Sequence, residues 1–176
     1  QEAAEIKPST MIAVMGDDEA ILALCKEARG EDILVAANFN ATGQIVLSGS
    51  LTACQRVAEL ASDRGVRATP LSVAGAFHSP FMQPAAEGMK DAISEVTFCE
   101  SAIPVWSNVT AKAHVKSEIA DRLVDQITCS VRWAEECTNM VKMYDVAWHE
   151  LGPGNVLRGL MRRIDREVKV QSHDEP

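Results

Sequence analysis

The chain of 176 residues is 47% hydrophobic and 24% charged, a balance typical of a soluble globular domain with one sizeable core. Its net charge of −8 argues against nucleic acid as a main partner, because phosphate binding needs a basic surface. No apolar run reaches the roughly 18 residues of a membrane helix, and the first residues lack the pattern of a secretion signal.

The first part of the chain predicts a small sheet with two helices. A strand over 11–16 leads into a helix that Asp17 and Asp18 open. Strands over 33–40 and 44–49 flank a tight turn and predict a hairpin. A second helix and a strand over 68–73 follow. The order strand, helix, strand, strand, helix, strand is that of the ferredoxin-like split unit.

The second helix of this unit is expected to bury one apolar face. That face consists of Leu51, Cys54, Val57, Ala58 and Ala61.

The rest of the chain predicts helices with few strands. Helices are expected over 80–95, 117–128 and 132–143, with one more after the Gly-Pro-Gly turn at 152–154; strands are expected over 103–110 and 145–151. Two strands with this many helices do not make a stable sheet alone. We therefore expect this part to be one flank of a larger α/β domain.

His78 stands where a strand gives way to the helix opened by Ser79 and Pro80. Side chains at such junctions project from the carboxyl end of a sheet, and the small residues Gly75 and Ala76 leave room beside the ring. Imidazole suits general acid–base work near neutral pH. On spacing alone, a histidine that caps the helix or packs in the core is the more common case.

No nucleophile accompanies this histidine in the sequence. The pattern G-x-S-x-G is absent, and "LSGSL" over 47–51 lacks the second glycine. His149 alternates with apolar residues in a predicted strand, and His114 and His173 are expected to be exposed. The five cysteines form no C-x-x-C pair, which indicates free thiols in a reducing cytoplasm and argues against a zinc site.

Near the end of the chain, Arg158, Arg162 and Arg166 are spaced to share one helix face. A solvated face is the simpler interpretation, and a patch for an acidic partner is the alternative. In "ELGPGNVLRGL", over 150–160, a strand leads by a sharp turn into a helix whose first amides could face an anion. A plain strand–helix connection is again the simpler interpretation.

Five stretches occur together in one order: "NFNATGQIVLSG", "GAFHSPFMQPAAE", "IPVWSNVT", "QITCSVRW" and "ELGPGNVLRGLMRRI". In that order and spacing they resemble the malonyl-CoA:acyl carrier protein transacylase family, which includes the acyltransferase domains of fatty acid and polyketide synthases. The resemblance runs from the first residues to about 166.

The resemblance implies an α/β fold, in which an α/β-hydrolase-like core carries an inserted ferredoxin-like subdomain. Residues 1–10 then match the end of a core helix and a linker. Residues 11–73 match the insert, and residues 74–176 match the last part of the core. The nucleophilic serine and a carboxylate-binding arginine would lie before Gln1, so residues 1–176 alone are expected to be inactive.

The activity implied is transfer of a malonyl group from coenzyme A to the phosphopantetheine thiol of acyl carrier protein, through an acyl-serine, in cytoplasmic fatty acid biosynthesis. His78 matches the family's catalytic histidine. Gln126 matches the residue whose backbone carbonyl orients it. No metal, further cofactor, nucleic acid or membrane is implied, and the full-length protein is expected to be a monomer.

The resemblance also implies substrate-binding residues. Asn40, Gln44 and Arg67 match positions near the coenzyme A end, and Phe77 matches a position beside the acyl group. Two residues depart from the family pattern: Asn155 replaces a lysine, and Val66 stands where some relatives have a second basic residue.

Three alternatives remain open from the sequence. The chain could be a non-catalytic module that binds a carrier protein, with His78 merely structural. It could belong to the acyltransferase domain of a polyketide synthase. It could also be an acyl hydrolase on the same core, although an arginine that holds the substrate carboxylate disfavours this.

Overall fold

The computed structural model describes residues 2–174, so Gln1, Glu175 and Pro176 lie outside it. The helices are α1 (Glu2–Glu5), α2 (Asp18–Arg29), α3 (Leu51–Leu60), α4 (Gln83–Ile93), α5 (Ile119–Thr128), α6 (Trp133–Met143) and α7 (Val156–Ile164). The strands are β1 (Ser9–Met15), β2 (Leu34–Ala41), β3 (Gln44–Ser50), β4 (Arg67–Pro70), β5 (Trp106–Ser107), β6 (Lys112–Ala113), β7 (Trp148–Leu151) and β8 (Val170–His173). Single 3-10 turns cover Ser62–Arg64, Pro80–Met82 and Lys116–Glu118.

The first four strands form one antiparallel sheet in the order β2-β3-β1-β4. This is the arrangement of the ferredoxin-like unit, and the predicted order of strands and helices is confirmed. The sheet begins at Ser9, two residues before the predicted strand, and β4 ends at Pro70 rather than at residue 73.

Helices α2 and α3 pack on one face of the sheet. Each begins at a side-chain cap: an Asp17 carboxylate oxygen accepts from Ala20 N, and the Ser50 hydroxyl accepts from Ala53 N. The core beneath them includes Ile12, Val14, Ile21, Leu24, Leu34, Ile45, Leu47, Cys54 and Val57. The expectation that Leu51 and Ala58 also point inward is wrong, since both are exposed. Leu51 is the first helical residue after the cap and lies outside the buried stripe.

Strand β2 is irregular and its outer edge is covered. The register slips after Ala36 and again after Phe39, which leaves Ala37 and Asn40 as bulge residues. The outer edge pairs with Val131, because Phe39 N donates to Val131 O at 2.8 Å and Val131 N donates to Ala37 O at 2.8 Å. The later part of the chain therefore shields an edge that would otherwise be open.

The later part contains four short strands rather than the two that were predicted. The strand expected over 103–110 is limited to β5, which pairs with the unpredicted β6. The strand expected over 145–151 is limited to β7, which pairs in parallel with the unpredicted β8. The ladder between β5 and β6 joins two residue pairs, and the ladder between β7 and β8 joins four.

Large apolar side chains of this later part face outward: Ile103, Val105, Val146, Leu151 and Val156. In the described part of the chain, no helix is both long and apolar enough to cross a lipid bilayer.

Candidate functional site

His78 adopts a backbone conformation that is unusual for its residue type. Its φ is 55°, in the left-handed region, and among the described residues other than glycine only Ala111 shares a positive φ. Such a conformation costs about 1–3 kcal/mol and persists only where the surroundings enforce it. Backbone strain of this kind is typical of functional positions.

The residues on either side of His78 hold this conformation. The Ser79 hydroxyl, fully buried, donates to Ala76 O at 2.6 Å and accepts from Phe81 N at 3.2 Å. Ser79 is thus the predicted helix cap, with Pro80 at the first helical position. Because its hydroxyl is buried and doubly engaged, Ser79 is not available as a nucleophile.

The segment before His78 is fastened to the sheet and to α1. Ser48 Oγ donates to Phe77 O at 2.7 Å, and Ala76 N donates to Ser9 Oγ at 3.1 Å. Gly75 packs against α1 so closely that a Cβ there would lie 2.8 Å from Ala4 Cβ. A glycine at position 75 is therefore needed for the close approach of this segment to α1.

The His78 ring is oriented by the end of α5. His78 Nδ1 lies 2.8 Å from the backbone oxygen of Gln126. The last carbonyls of a helix have no partner within the helix, and Cys129 N takes the carbonyl of Asp125, so the next one is free for the imidazole. The Gln126 side-chain amide is also close, with its nitrogen 3.3 Å from Nδ1.

This contact selects one tautomer of His78. A carbonyl oxygen can only accept a hydrogen bond, so Nδ1 carries the proton and Nε2 keeps its lone pair. The negative end of the α5 dipole also lies at this ring and stabilises an imidazolium when one forms. The arrangement is that of a general base whose orienting group is a backbone carbonyl in place of a carboxylate.

Phe77 packs between the two parts of the structure. Its half-buried ring packs against two clusters: one of Met11, Ala37 and Val46 beneath the sheet, and one of Ala3, Ala4 and Met82 beside α1. The ring next to His78 is therefore held by both parts.

The three residues predicted near coenzyme A lie together at another position of the same sheet. Gln44 opens β3 and pairs with Met15, which pairs on its other side with Arg67. Asn40 is the bulge residue just before Ala41, the β2 partner of Gln44. The row of Gln44 lies four residues along β3 from Ser48, the contact of Phe77, which corresponds to about 13 Å.

The buried thiols of Cys54 and Cys137 are poor candidates for a nucleophile beside His78. Burial raises the pKa of Cys54 to about 11 and that of Cys137 to about 12, so these thiols stay protonated. Nowhere in residues 2–174 do three His, Cys, Asp or Glu side chains converge as metal ligands would.

The first amides of α7, a candidate anion site in the sequence, are already occupied. Buried Glu150 of β7 accepts from Leu157 N at 2.8 Å and from Arg158 N at 2.9 Å. Burial alone would raise the pKa of Glu150, but these amide donors and the Ser172 hydroxyl hold it below its usual value. This role of Glu150 was not predicted, although a glutamate just before a Gly-Pro-Gly turn and a helix is a usable sequence signal.

Arg158, Arg162 and Arg166 line one groove together with Lys169. The expectation that all three share one helix face is wrong for Arg166, because α7 ends at Ile164. Arg163, next to Arg162 on the same helix, points elsewhere: its Nη1 donates to Gln44 Oε1 at 3.2 Å. No local pattern in the sequence signals a contact between residues so far apart.

Comparison with known families and proteins identifies close relatives. Residues 5–162 match the acyl transferase domain family. The chain is 35% identical to the malonyl CoA-acyl carrier protein transacylase of Bacillus subtilis (strain 168), over 99% of its own length and 56% of the relative's.

Solved structures show the same fold. The malonyl-CoA:acyl carrier protein transacylase of Xanthomonas oryzae superposes with a TM-score of 0.93 at 36% identity, covering 100% of this chain and 57% of that one. A malonyl-transacylase in complex with a type II polyketide acyl-carrier protein superposes with a TM-score of 0.91 at 31% identity, over 100% of this chain and 58% of its own. The chain thus spans a little over half the length of the proteins it resembles.

Proposed function

Because the chain belongs to the acyl transferase domain family, we propose that it forms the histidine-bearing part of a malonyl transferase. The donor is malonyl-CoA and the acceptor is the phosphopantetheine thiol of an acyl carrier protein, in cytoplasmic fatty acid biosynthesis. Residues 11–73 act as the ferredoxin-like subdomain, residues 74–176 as the last part of the core, and residues 1–10 as the link between a preceding core helix and the subdomain.

The hydrogen bond between His78 Nδ1 and the Gln126 carbonyl oxygen, 2.8 Å long, carries this proposal. It leaves Nε2 able to take the proton of a serine hydroxyl supplied from outside residues 1–176. The serine oxygen then attacks the thioester, the coenzyme A thiolate leaves, and it recovers the proton from Nε2. The carrier thiol reverses these steps on the acyl-serine.

Substrate contacts are assigned by position. Phe77, beside His78, lies next to the acyl group and leaves no space for a branch on its α-carbon. Asn40, Gln44 and Arg67 lie along the sheet at the coenzyme A end, a distance that an extended pantetheine arm bridges. His78 moves the protons in both half-reactions, and the reaction needs no metal. The complete enzyme works as a monomer.

A polyketide context is the second candidate, because one of the similar solved structures is described with a type II polyketide acyl-carrier protein. The two contexts share the chemistry at His78 and differ only in the carrier protein. Transfer rates to a fatty acid carrier and to a polyketide carrier, measured side by side, distinguish them.

The test uses the complete gene product that contains residues 1–176, radiolabelled malonyl-CoA and acyl carrier protein. His78→Ala is expected to slow malonyl loading by about 100-fold to 10,000-fold, because a general base contributes that much. Gln126→Ala is the matched control: it removes the side chain but keeps the orienting carbonyl, so we expect loss of less than about threefold.

Two outcomes would contradict the proposal. If His78→Ala loads malonate at the normal rate, His78 is structural. If the unmodified gene product binds carrier protein but never acquires label, the chain belongs to a non-catalytic binding module.

A further inference from the structure

One end of the four-stranded sheet carries unneutralised positive charge. Along β1, Ile12 and Val14 face the core under α2 and α3, whereas Met11 and Ala13 belong to the cluster that contacts Phe77. Because side chains alternate along a strand, Met15 lies on the Phe77 side. Its cross-strand neighbours Gln44 and Arg67 therefore lie on that side too.

Two guanidinium groups meet this row from different parts of the chain. Arg67 Nη2 lies 3.0 Å from Met15 Sδ, and Arg163 Nη1 donates to Gln44 Oε1 at 3.2 Å. Both arginines are exposed, and neither forms a salt bridge with another residue of the described range. In a protein with a net charge of −8, two such guanidiniums on one row are notable.

The nearby carboxylates serve other purposes. Asp17 accepts from Ala20 N, and Asp18 accepts from Gly43 N at 2.9 Å. Both open α2, which packs on the opposite face of the sheet. Neither carboxylate forms an ion pair with Arg67 or Arg163.

Val66 occupies the position where some relatives have a second basic residue, and this position cannot carry a positive charge here. Val66 is buried in the core under the helices, and its Cγ1 lies so close to Gly16 that a Cβ there would be 2.5 Å away. A charged residue would lose this packing and would be desolvated. A second positive charge at this end of the sheet comes instead from α7, through Arg163.

We propose that Arg163 is a substrate-binding residue that, with Arg67, holds the phosphate groups of the coenzyme A donor. Arginine suits phosphate because its planar fork donates two parallel hydrogen bonds. In the absence of phosphate, the hydrogen bond to Gln44 holds the Arg163 guanidinium beside the row of Gln44, Met15 and Arg67. The inference rests on the proposed function and adds to it a contact from α7, so that the donor binds both the four-stranded sheet and α7.

The experiment compares two donors in the complete gene product: malonyl-CoA and malonyl-pantetheine, which lacks the phosphates. Arg163→Gln is expected to raise KM for malonyl-CoA about tenfold, the low end for a charge-assisted hydrogen bond, because Arg163 is exposed and screened by salt. KM for malonyl-pantetheine should stay within about twofold, because this donor has no phosphate for Arg163 to bind.

The matched control is Arg162→Gln. Arg162 has the same charge on the same helix, but it lines the groove with Arg158 and Lys169 and does not contact Gln44. This variant should leave KM for malonyl-CoA unchanged. Raising the salt concentration should also weaken malonyl-CoA binding less in Arg163→Gln than in the unmodified protein.

Three results would overturn the inference: equal KM changes for both donors, a change in KM for the carrier protein alone, or no change at all. Direct calorimetric binding of coenzyme A to Arg163→Gln and Arg162→Gln tests the contact without turnover. If the unmodified protein transfers no malonate, the proposed function fails, while the calorimetry still decides on Arg163.

Discussion

The sheet over 9–70 and the region over 103–173 differ in how they bury their apolar side chains. In the first, the side under α2 and α3 is closed: Ile12, Leu24 and Leu47 are at most 1% exposed. In the second, α5 contains no buried residue and α7 contains one, whereas Leu151 is 81% exposed. Grouped exposed apolar side chains mark a surface that packs against further chain or another molecule. The main core of the first region is thus complete within the sheet and its two helices, whereas the second region needs a partner surface.

The largest expected effect is on stability and tests this difference directly. In residues 1–176, Leu24→Ala should lower the free energy of unfolding by about 2–5 kcal/mol, because it opens a cavity between α2 and the sheet. Leu151→Ala, at an exposed position, should change it by less than about 0.5 kcal/mol. Urea denaturation monitored by far-ultraviolet circular dichroism measures both.

Repeating the Leu151→Ala measurement in the complete gene product sharpens the comparison. A cost that appears only there would locate the partner surface on β7. Equal costs for Leu24→Ala and Leu151→Ala in residues 1–176 would show that the two regions do not differ in closure.

Two buried glutamates of the second region give the next effect, with opposite pH dependence. Burial without a hydrogen-bond partner for Oε2 raises the pKa of Glu136 from 4.5 to about 6. A raised folded pKa contributes stability below pH 4.5 that is lost as the pH rises through 6. The lowered pKa of Glu150 means that its contribution is present at neutral pH and is lost as the pH falls through that pKa.

Glu136→Gln should therefore gain about 2 kcal/mol relative to the unmodified chain between pH 4 and pH 8, whatever constant offset the amide brings. Glu150→Gln should instead lose stability relative to the unmodified chain as the pH rises to 4.5, and the difference should stay nearly constant at higher pH. Denaturation curves at several pH values measure both variants. Parallel pH profiles for the two would contradict the assigned environments.

The same contrast governs how much of the fold could be predicted from sequence. In the first region, periodicity, the Asp17 cap and the hairpin turn are local signals, and the order of elements followed from them. The strands β6 and β8 were missed because two to four residues carry too short an alternation, and the pairing of β8 with β7 is non-local.

The candidate site shows the same difference between local features, which could be predicted, and non-local contacts, which could not. The junction at His78 and the Ser79 cap are local and were visible in the sequence. The partner of His78 is 48 residues away at Gln126 and was named only through the family resemblance. The contact between Arg163 and Gln44 spans 119 residues and had no signal at all.

Phe77, which packs against both regions, should control the choice of acyl group. Phe77→Ser is expected to raise use of a methyl-branched donor relative to malonyl-CoA about tenfold, since one methyl in a pocket is worth about 1–3 kcal/mol. Competition between malonyl-CoA and methylmalonyl-CoA in the gene product measures the ratio. Phe77→Leu, which keeps an apolar side chain, is the control and should shift the ratio less. Equal use of both donors by the unmodified protein would refute the steric account.

The smallest effect concerns how helices of the two regions begin. Asp17 caps α2 by accepting from Ala20 N, whereas the Asn155 side chain makes no capping bond to α7, whose first amides go to Glu150. Asp17→Ala should lower the free energy of unfolding by about 1 kcal/mol. Asn155→Ala should lower it by no more than about 0.3 kcal/mol, because no capping bond is lost. Thermal unfolding of the two variants, beside the unmodified chain, measures the difference. A larger cost for Asn155→Ala would mean that α7 depends on its own cap and not on the strand beneath it.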